Sequence, residues 1–279
     1  QRLARCLLHR QRFDLLDLDA FGCPSALLPL ALEAVKVGGV LYVASTDGRS
    51  PTGHDRPGAM RQLGAAARAH PASWELALRL QLGLIARTAW AQGRGIVPLL
   101  SLSEGRTFRT AVRLQRTPPP AELSQLGLLA HCHGCGDQQA QSLLRLRQWQ
   151  PCLCQGEPPP LAISGPLWLG PLQCSGTLER LLRLADERPA GVSRTSHRLL
   201  DRLAADPGDL PRCWPISAIA RQLGGGPPPV ELLAQTLQRQ GHRATVSGVM
   251  PGQLRSDAPW SEILQSAREL AGSGSRAAK

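Results

Sequence analysis

The sequence predicts an α/β fold, and three observations carry that expectation. Short apolar runs bounded by polar residues recur at 13–18, 38–46 and 96–103, a helical pattern separates the first two, and a longer one precedes the third. Strand, helix and strand at this spacing form a parallel crossover unit.

FDLLDL at 13–18 reads as a buried strand, and ALLPLALEAVK at 26–36 has helical character despite Pro29. GGVLYVAST at 38–46 is the second strand, and DGRSPTGHDRP at 47–57 is a polar loop. From Ser73 to about Ala91 the apolar residues Leu76, Ala77, Leu80 and Leu84 recur at helical spacing. IVPLLSLS at 96–103 and the alternating TFRTAVRLQR at 107–116 then complete the second half of an open sheet as an antiparallel pair. The proline-rich TPPPAEL at 117–123 sets the first boundary, so residues 1–117 form one unit.

Residues 118–190 form a cysteine-rich unit that includes GPLWLGPL at 165–172 and a helix from about Thr177 to Glu187. Residues 191–279 form the third unit, with helices at 216–224 and 229–242 joined by a Gly and Pro turn and followed by the β-leaning RATVSGV. Helix, turn, helix and strand resemble an α+β winged-helix arrangement, with Pro229 opening the second helix and Gly241 closing it. An ordinary small helical domain fits the same residues. The C-terminal tail is expected to be disordered.

The chain of 279 residues has 32 Lys and Arg against 21 Asp and Glu, giving a formal charge of +11 and a pI near 10.2. A polyanion is therefore the leading partner class. Only two of the cations are lysines, and arginine's planar fork favours nucleic acid over a membrane surface. A GC-rich genome would enrich Arg together with the 28 Gly and 24 Pro, so composition alone decides little. No apolar run approaches the ~18–20 residues that span a bilayer, and the N-terminus lacks a signal peptide's layout. A cytoplasmic protein with no membrane contact and no obligate protein partner is expected.

HCHGCG at 131–136 and PCLC at 151–154 hold four of the eight cysteines. Two residues separate Cys132 from Cys135, a knuckle spacing that lets both sulfurs reach one tetrahedral zinc. Sixteen residues lie between Cys135 and Cys152, and one lies between Cys152 and Cys154. Those four thiols are the expected ligands of a structural zinc, with His131, His133 or Cys174 as substitutes. Ordinary thiols at a decayed site are the alternative.

FDLLDLDAFGCP at 13–24 places Asp19, Ala20, Phe21 and Gly22 at the carboxyl end of an inferred parallel strand, the edge where open α/β sheets bind ligands. A carboxylate beside an aromatic suits methyl transfer to an exocyclic amine, whose lone pair is delocalised into its ring. The acceptor must hold the N–H groups so that the lone pair faces the donor in line. Asp19 and the Ala20 carbonyl could do this while Phe21 stacks on a base flipped out of its helix. The same four residues also read as a plain strand-to-loop turn.

FDLLDLDAFGCP resembles the motif of the tRNA guanine-26 N2-dimethyltransferase family, in which this strand ends Asp-Pro-Phe-Gly. GGVLYVASTDG, the stretch from Arg61 to Arg116, GPLWLGPL and LRSDAPWSEIL are similar to further parts of the family, so the resemblance runs from Phe13 to about Leu264. It implies the C-terminal part of a Rossmann-like methyltransferase sheet and an S-adenosylmethionine-dependent enzyme acting on the N2 amine of guanine in tRNA. Carried over by position, Asp19 is the catalytic acceptor, Phe21 and Gly22 shape the base pocket, and Asp17 lies near the cofactor. Related enzymes often carry zinc at the position of the cysteine cluster.

Three residues depart from the family pattern. Ala20 stands in the proline position, Trp74 precedes Glu75 where a His-Glu pair is usual, and Thr107 with Phe108 replaces a more polar stretch. The glycine-bearing loop and acidic residue that hold the cofactor precede this motif in such folds, and nothing before Phe13 could serve. The resemblance therefore implies an N-terminally truncated chain. For tRNA contact the expected cations are Arg79, Arg87, Arg94, Arg109 and Arg113 in the α/β part and Arg239, Arg243 and Arg255 near the wing-like segment, supplying salt-dependent phosphate affinity. The competing class is a noncatalytic, zinc-containing winged-helix protein that binds nucleic acid.

Overall fold

A computed structural model describes residues 2–154 and 156–277. Helix α1 (Arg2–Leu8) leads into strand β1 (Phe13–Ala20), and helix α2 (Leu28–Ala34) crosses to β2 (Val35–Ser45). Helices α3 (Arg56–Leu63) and α4 (Ser73–Ala91) follow, then strands β3 (Gly95–Glu104) and β4 (Thr107–Gln115). The four strands form one mixed sheet of order β1-β2-β4-β3. β1 and β2 are parallel, and the β2–β4 and β3–β4 pairs are antiparallel. The crossover unit and the antiparallel finish thus match the sequence pattern. Helices α1 and α3 had no counterpart in it.

Period-two alternation builds β1: Leu16, Leu18 and Ala20 are buried, while Leu15, Asp17 and Asp19 point to the opposite, exposed face. The buried set joins Leu28, Leu32, Leu41, Val43, Phe108 and Val112 in the first core. Helix α4 is apolar on more than one side because it lies between two cores. Its Leu78, Leu82 and Ile85 face the first, and its Leu76 and Leu80 pack with Leu129 and Leu167 of the next sheet. Gly83 marks the closest approach, since a Cβ there would lie 2.9 Å from the Leu167 Cα.

That next sheet follows the short helix α5 (Pro120–Leu123) and contains β5 (Leu126–His131), β6 (Gln138–Ser142) and β7 (Ala162–Trp168) in the antiparallel order β6-β5-β7. Helices α6 (Ser175–Glu187) and α7 (Arg194–Ala204) connect it to strand β8 (Cys213–Pro215). After β8 come α8 (Ile216–Leu223), α9 (Val230–Arg239), β9 (Ala244–Val246), β10 (Gln253–Ser256) and α10 (Trp260–Ala277). The strands pair antiparallel in the order β8-β10-β9. Leu233, Leu237, Ile263 and Ala267 close a second core around Trp214 and Trp260.

The tail expected to be disordered is instead helical through Ala277, with residues 278 and 279 outside the described residues. An amphipathic face accounts for the helix as far as Leu270, because Trp260, Ile263, Leu264 and Ala267 recur at helical spacing and are buried, with Leu270 packed against their core.

An exposed histidine clamp ties α6 to α7. His197 Nε2 lies 2.9 Å from Asp186 Oδ1, and its Nδ1 lies 2.9 Å from Asp201 Oδ2. The Asp186 and Asp201 carboxylates raise the His197 pKa above its usual 6.5. A raised folded-state pKa stabilises the protein fully below about pH 6.5 and loses that contribution as pH rises through the folded value. Titration of the His197 ring by NMR is therefore expected to give a pKa above 6.5 that falls back in Asp186→Asn. An unshifted ring would remove the clamp.

Candidate functional site

The carboxyl edge of β1 holds the predicted turn. Asp19 is exposed, opposite Ala44 in the ladder, and Ala20 is buried opposite Ser45. Phe21 is the apex, with a relative exposure of 102%. Gly22 turns the chain at φ 80°, a left-handed conformation that a side chain would strain. Both of its backbone groups are held by the end of β2. The Gly22 N–H donates to Thr46 Oγ1 at 2.8 Å, and the Gly22 carbonyl accepts from Ser45 Oγ at 3.0 Å and from the Thr46 N–H at 3.2 Å. Asp17 shares the exposed face of β1 with Asp19.

Asp47, one residue beyond this clamp, was not singled out from sequence. Its Oδ1 accepts the N–H groups of Arg49 and Ser50 at 3.1 and 3.0 Å, and its Oδ2 is buried without a hydrogen-bond partner among the described residues. The sequence signal for Ser45, Thr46 and Asp47 was their place in GGVLYVASTDG, which resembles part of the family without marking any of the three.

The structure brings Cys132, Cys135, Cys152 and Cys154 together, with all four sulfurs within 4.8 Å of one another. Cys132 Sγ lies 3.6 Å from Cys152 Sγ and 3.5 Å from Cys154 Sγ. Sulfurs held at about 2.3 Å around a tetrahedral zinc stand roughly 3.8 Å apart, so the donor set fits that ion. The Cys152 thiol, followed by burial and Cys132, pushes the Cys154 thiol up to about 12. Crowding of this kind opposes ionisation, and a divalent cation among the sulfurs would reverse it. His131 and His133 stack edge to face beside the cluster without joining its donor set, and Cys174 caps α6 elsewhere.

Two tryptophans hold the backbone of the knuckle. Trp260 Nε1 donates to the Cys135 carbonyl at 2.8 Å and Trp214 Nε1 to the Gly136 carbonyl at 2.9 Å. Their rings stack at 5.3 Å and 9°. The knuckle therefore packs into the core of the C-terminal helices and sheet.

The arginines expected to face RNA divide sharply. Arg79 and Arg255 are fully buried, which overturns a phosphate-contacting role for either. Arg79 spends its five donors on Glu75 and on the carbonyls of Trp168, Gly170, Gly208 and Leu210. Arg255 donates to both oxygens of Asp206 and both oxygens of Glu75. Burial works to raise the Glu75 pKa, but the guanidiniums of Arg255 and Arg79 hold it below the usual value. The Glu75 and Asp206 carboxylates keep Arg255 charged against burial. Two carboxylates and two guanidiniums thus join α4, the end of β7, the 206–210 loop and β10.

Arg87 and Arg94 are half-buried and serve as helix caps. Arg87 donates to the Leu63 carbonyl at the end of α3, and Arg94 to the Leu32 and Val35 carbonyls at the end of α2. Arg109 pairs with Glu104 at 3.2 Å and Arg243 pairs with Asp209, whereas Arg113 and Arg239 are exposed.

A mixed α/β sheet with a carboxylate–aromatic turn at the carboxyl end of a parallel strand defines the class. Trm1 from Pyrococcus horikoshii, solved with S-adenosyl-L-methionine, is similar at a TM-score of 0.80 and 25% identity, covering 94% of this chain and 68% of that one. The family described as N2,N2-dimethylguanosine tRNA methyltransferase matches residues 2–268, and the chain belongs to it. The tRNA (guanine(26)-N(2))-dimethyltransferase of Thermococcus kodakarensis is 31% identical over 91% of this chain and 64% of its own length. That of Schizosaccharomyces pombe is 29% identical over 93% of this chain and 52% of its own length. The chain thus spans between about half and two thirds of these two relatives.

Proposed function

We propose that the chain forms the acceptor half and the RNA-gripping parts of an S-adenosylmethionine-dependent methyltransferase acting on the N2 amine of guanine 26 in tRNA. The exposed Asp19–Phe21 pair on a turn clamped at Gly22, in a member of this family, carries the reading. The cofactor supplies an electrophilic methyl group. Asp19 accepts an N–H hydrogen bond from the amine and takes the proton that the nitrogen gives up as it is methylated. The Ala20 carbonyl accepts the second N–H, and Phe21 offers its face to the flipped base.

The described residues fit the cofactor only in part. Asp17 and Asp19 present carboxylates on the open face of β1, whereas the described chain ahead of β1 is the helix α1. We assign them to the acceptor side of the reaction, with Asp17 the one residue placed near the methionine portion.

Three units support binding: residues 1–117 with the sheet, 118–190 with the zinc held by Cys132, Cys135, Cys152 and Cys154, and 191–279 in a winged-helix-like arrangement. The order β8-α8-α9-β9-β10 with sheet order β8-β10-β9 supports the last. Arg109, Arg239 and Arg243 are the cations assigned to tRNA phosphates, while Arg87 stays with the carbonyls at the end of α3. A cytoplasmic setting suits both tRNA and reduced thiols, and no described helix is long and apolar enough to cross a membrane.

Asp19→Asn in the full-length gene product tests the reading. Methyl transfer to tRNA, followed by nucleoside mass analysis, is expected to fall by about a hundredfold or more, with tRNA binding unchanged. An undiminished rate would remove Asp19 from its role. Binding without any methylation by the unsubstituted protein would favour the noncatalytic nucleic-acid binder.

A further inference from the structure

The apex residue Phe21 is fully exposed, so its orientation depends on the backbone to either side. On one side the chain is strand-paired, Asp19 to Ala44 and Ala20 to Ser45. On the other, Gly22 is held by three hydrogen bonds, one that its N–H donates to Thr46 Oγ1 and two that its carbonyl accepts from Ser45 Oγ and the Thr46 N–H. Between two anchored ends only one residue is free to project. We infer that Ser45 and Thr46 are positioning residues, which aim the Asp19–Phe21 turn by clamping Gly22.

Physical reasons make this more than a strand-end contact. Position 20 is alanine, whose φ no ring restricts, so the turn owes its rigidity to outside restraint. Ser45 is 4% exposed, so its hydroxyl is committed inside the fold and unavailable to act as a solvent-facing group. A misplacement of about 1 Å at a reacting group costs on the order of a hundredfold in rate, so small losses of restraint at Gly22 should be visible in turnover. The inference rests on reading this turn as the acceptor site, and the test separates the two.

In the full-length gene product, Thr46→Val removes the acceptor for the Gly22 N–H while keeping the β-branched shape, and Thr46→Ser keeps the hydroxyl. Two readouts are needed: hydrogen exchange at the Gly22 amide, which requires no catalysis, and kcat and KM for methyl transfer to tRNA. Thr46→Val is expected to speed Gly22 exchange at least tenfold and to lower kcat about tenfold with KM for tRNA unchanged. Thr46→Ser should restore both, and Ser45→Ala should act in the same direction as Thr46→Val.

Unchanged Gly22 exchange in a folded Thr46→Val protein would overturn the clamp. Faster exchange with unchanged kcat would overturn the positioning role. Faster exchange in a protein whose unsubstituted form transfers no methyl group would instead sink the methyltransferase reading and leave the clamp in place. Ala20→Pro, which restrains the turn from the other side, should recover part of the Thr46→Val loss in kcat, and no recovery would count against a positioning role.

Discussion

Arg255→Ala is expected to destabilise the protein by about 3–5 kcal/mol, because it removes the buried cation that the Glu75 and Asp206 carboxylates share and leaves Asp206 without a cationic partner among the described residues. Arg255 donates to both Glu75 and Asp206, all of them at most 2% exposed, and its Nη1 also reaches the Leu210 carbonyl. Arg79 cannot compensate, since its donors are already distributed among Glu75 and four carbonyls. Removing charge on the other side should recover part of the loss, so Arg255→Met with Glu75→Gln is expected to be more stable than Arg255→Met alone. Urea denaturation of the single and double variants measures the difference. A single-variant loss under about 1 kcal/mol would mean that water enters and solvates the carboxylates.

Loss of the zinc proposed at the four clustered cysteines is expected to have the second large effect. Strong chelation, or Cys132→Ser, should free the knuckle, and with it the Cys135 and Gly136 carbonyls that receive the Trp260 and Trp214 indole N–H groups. Both indoles are buried in the core shared by α9 and α10, so their fluorescence should shift red as the stacked pair loosens. Structural zinc sites contribute on the order of 10 kcal/mol to folding of small domains, so the core around Trp214 and Trp260 should melt earlier than the β1–β4 sheet. The binding stoichiometry should be one zinc per chain. Retention of the native tryptophan spectrum after complete metal removal would detach the knuckle from that core.

The β1–β4 sheet was largely legible because its elements obey simple periodicities. The α4 helix, Ser73–Ala91, was readable from Leu76, Leu80 and Leu84, and the strands from short apolar runs. The third sheet was only partly legible. Strands of three or four residues such as β8, β9 and β10 are too short for a period to register, and they exist because α8 and α9 give them an apolar face to cover. Among the site residues, Asp19, Phe21 and the four cysteines stood out by chemistry and spacing, whereas Ser45 and Thr46 are ordinary residues whose role is set only by pairing β2 with β1.

The arginines mark the limit of sequence reading most clearly. Charge and count establish that the chain is basic, and side-chain type establishes that a planar cation stands at each position. Whether that cation meets a phosphate or a buried carboxylate is a matter of burial. Arg79 looks like a surface helix residue until β7 and the 206–210 loop close over it. Local patterns determined the strands, the long helix, the cysteine knuckle and the carboxylate–aromatic turn, because each depends on residues near one another along the chain. Tertiary structure alone decided the Gly22 clamp and the convergence of Arg255 and Asp206 on the Glu75–Arg79 pair of α4, because the Ser45–Gly22 and Arg255–Glu75 bonds join residues 23 and 180 positions apart whose partners only folding brings within reach.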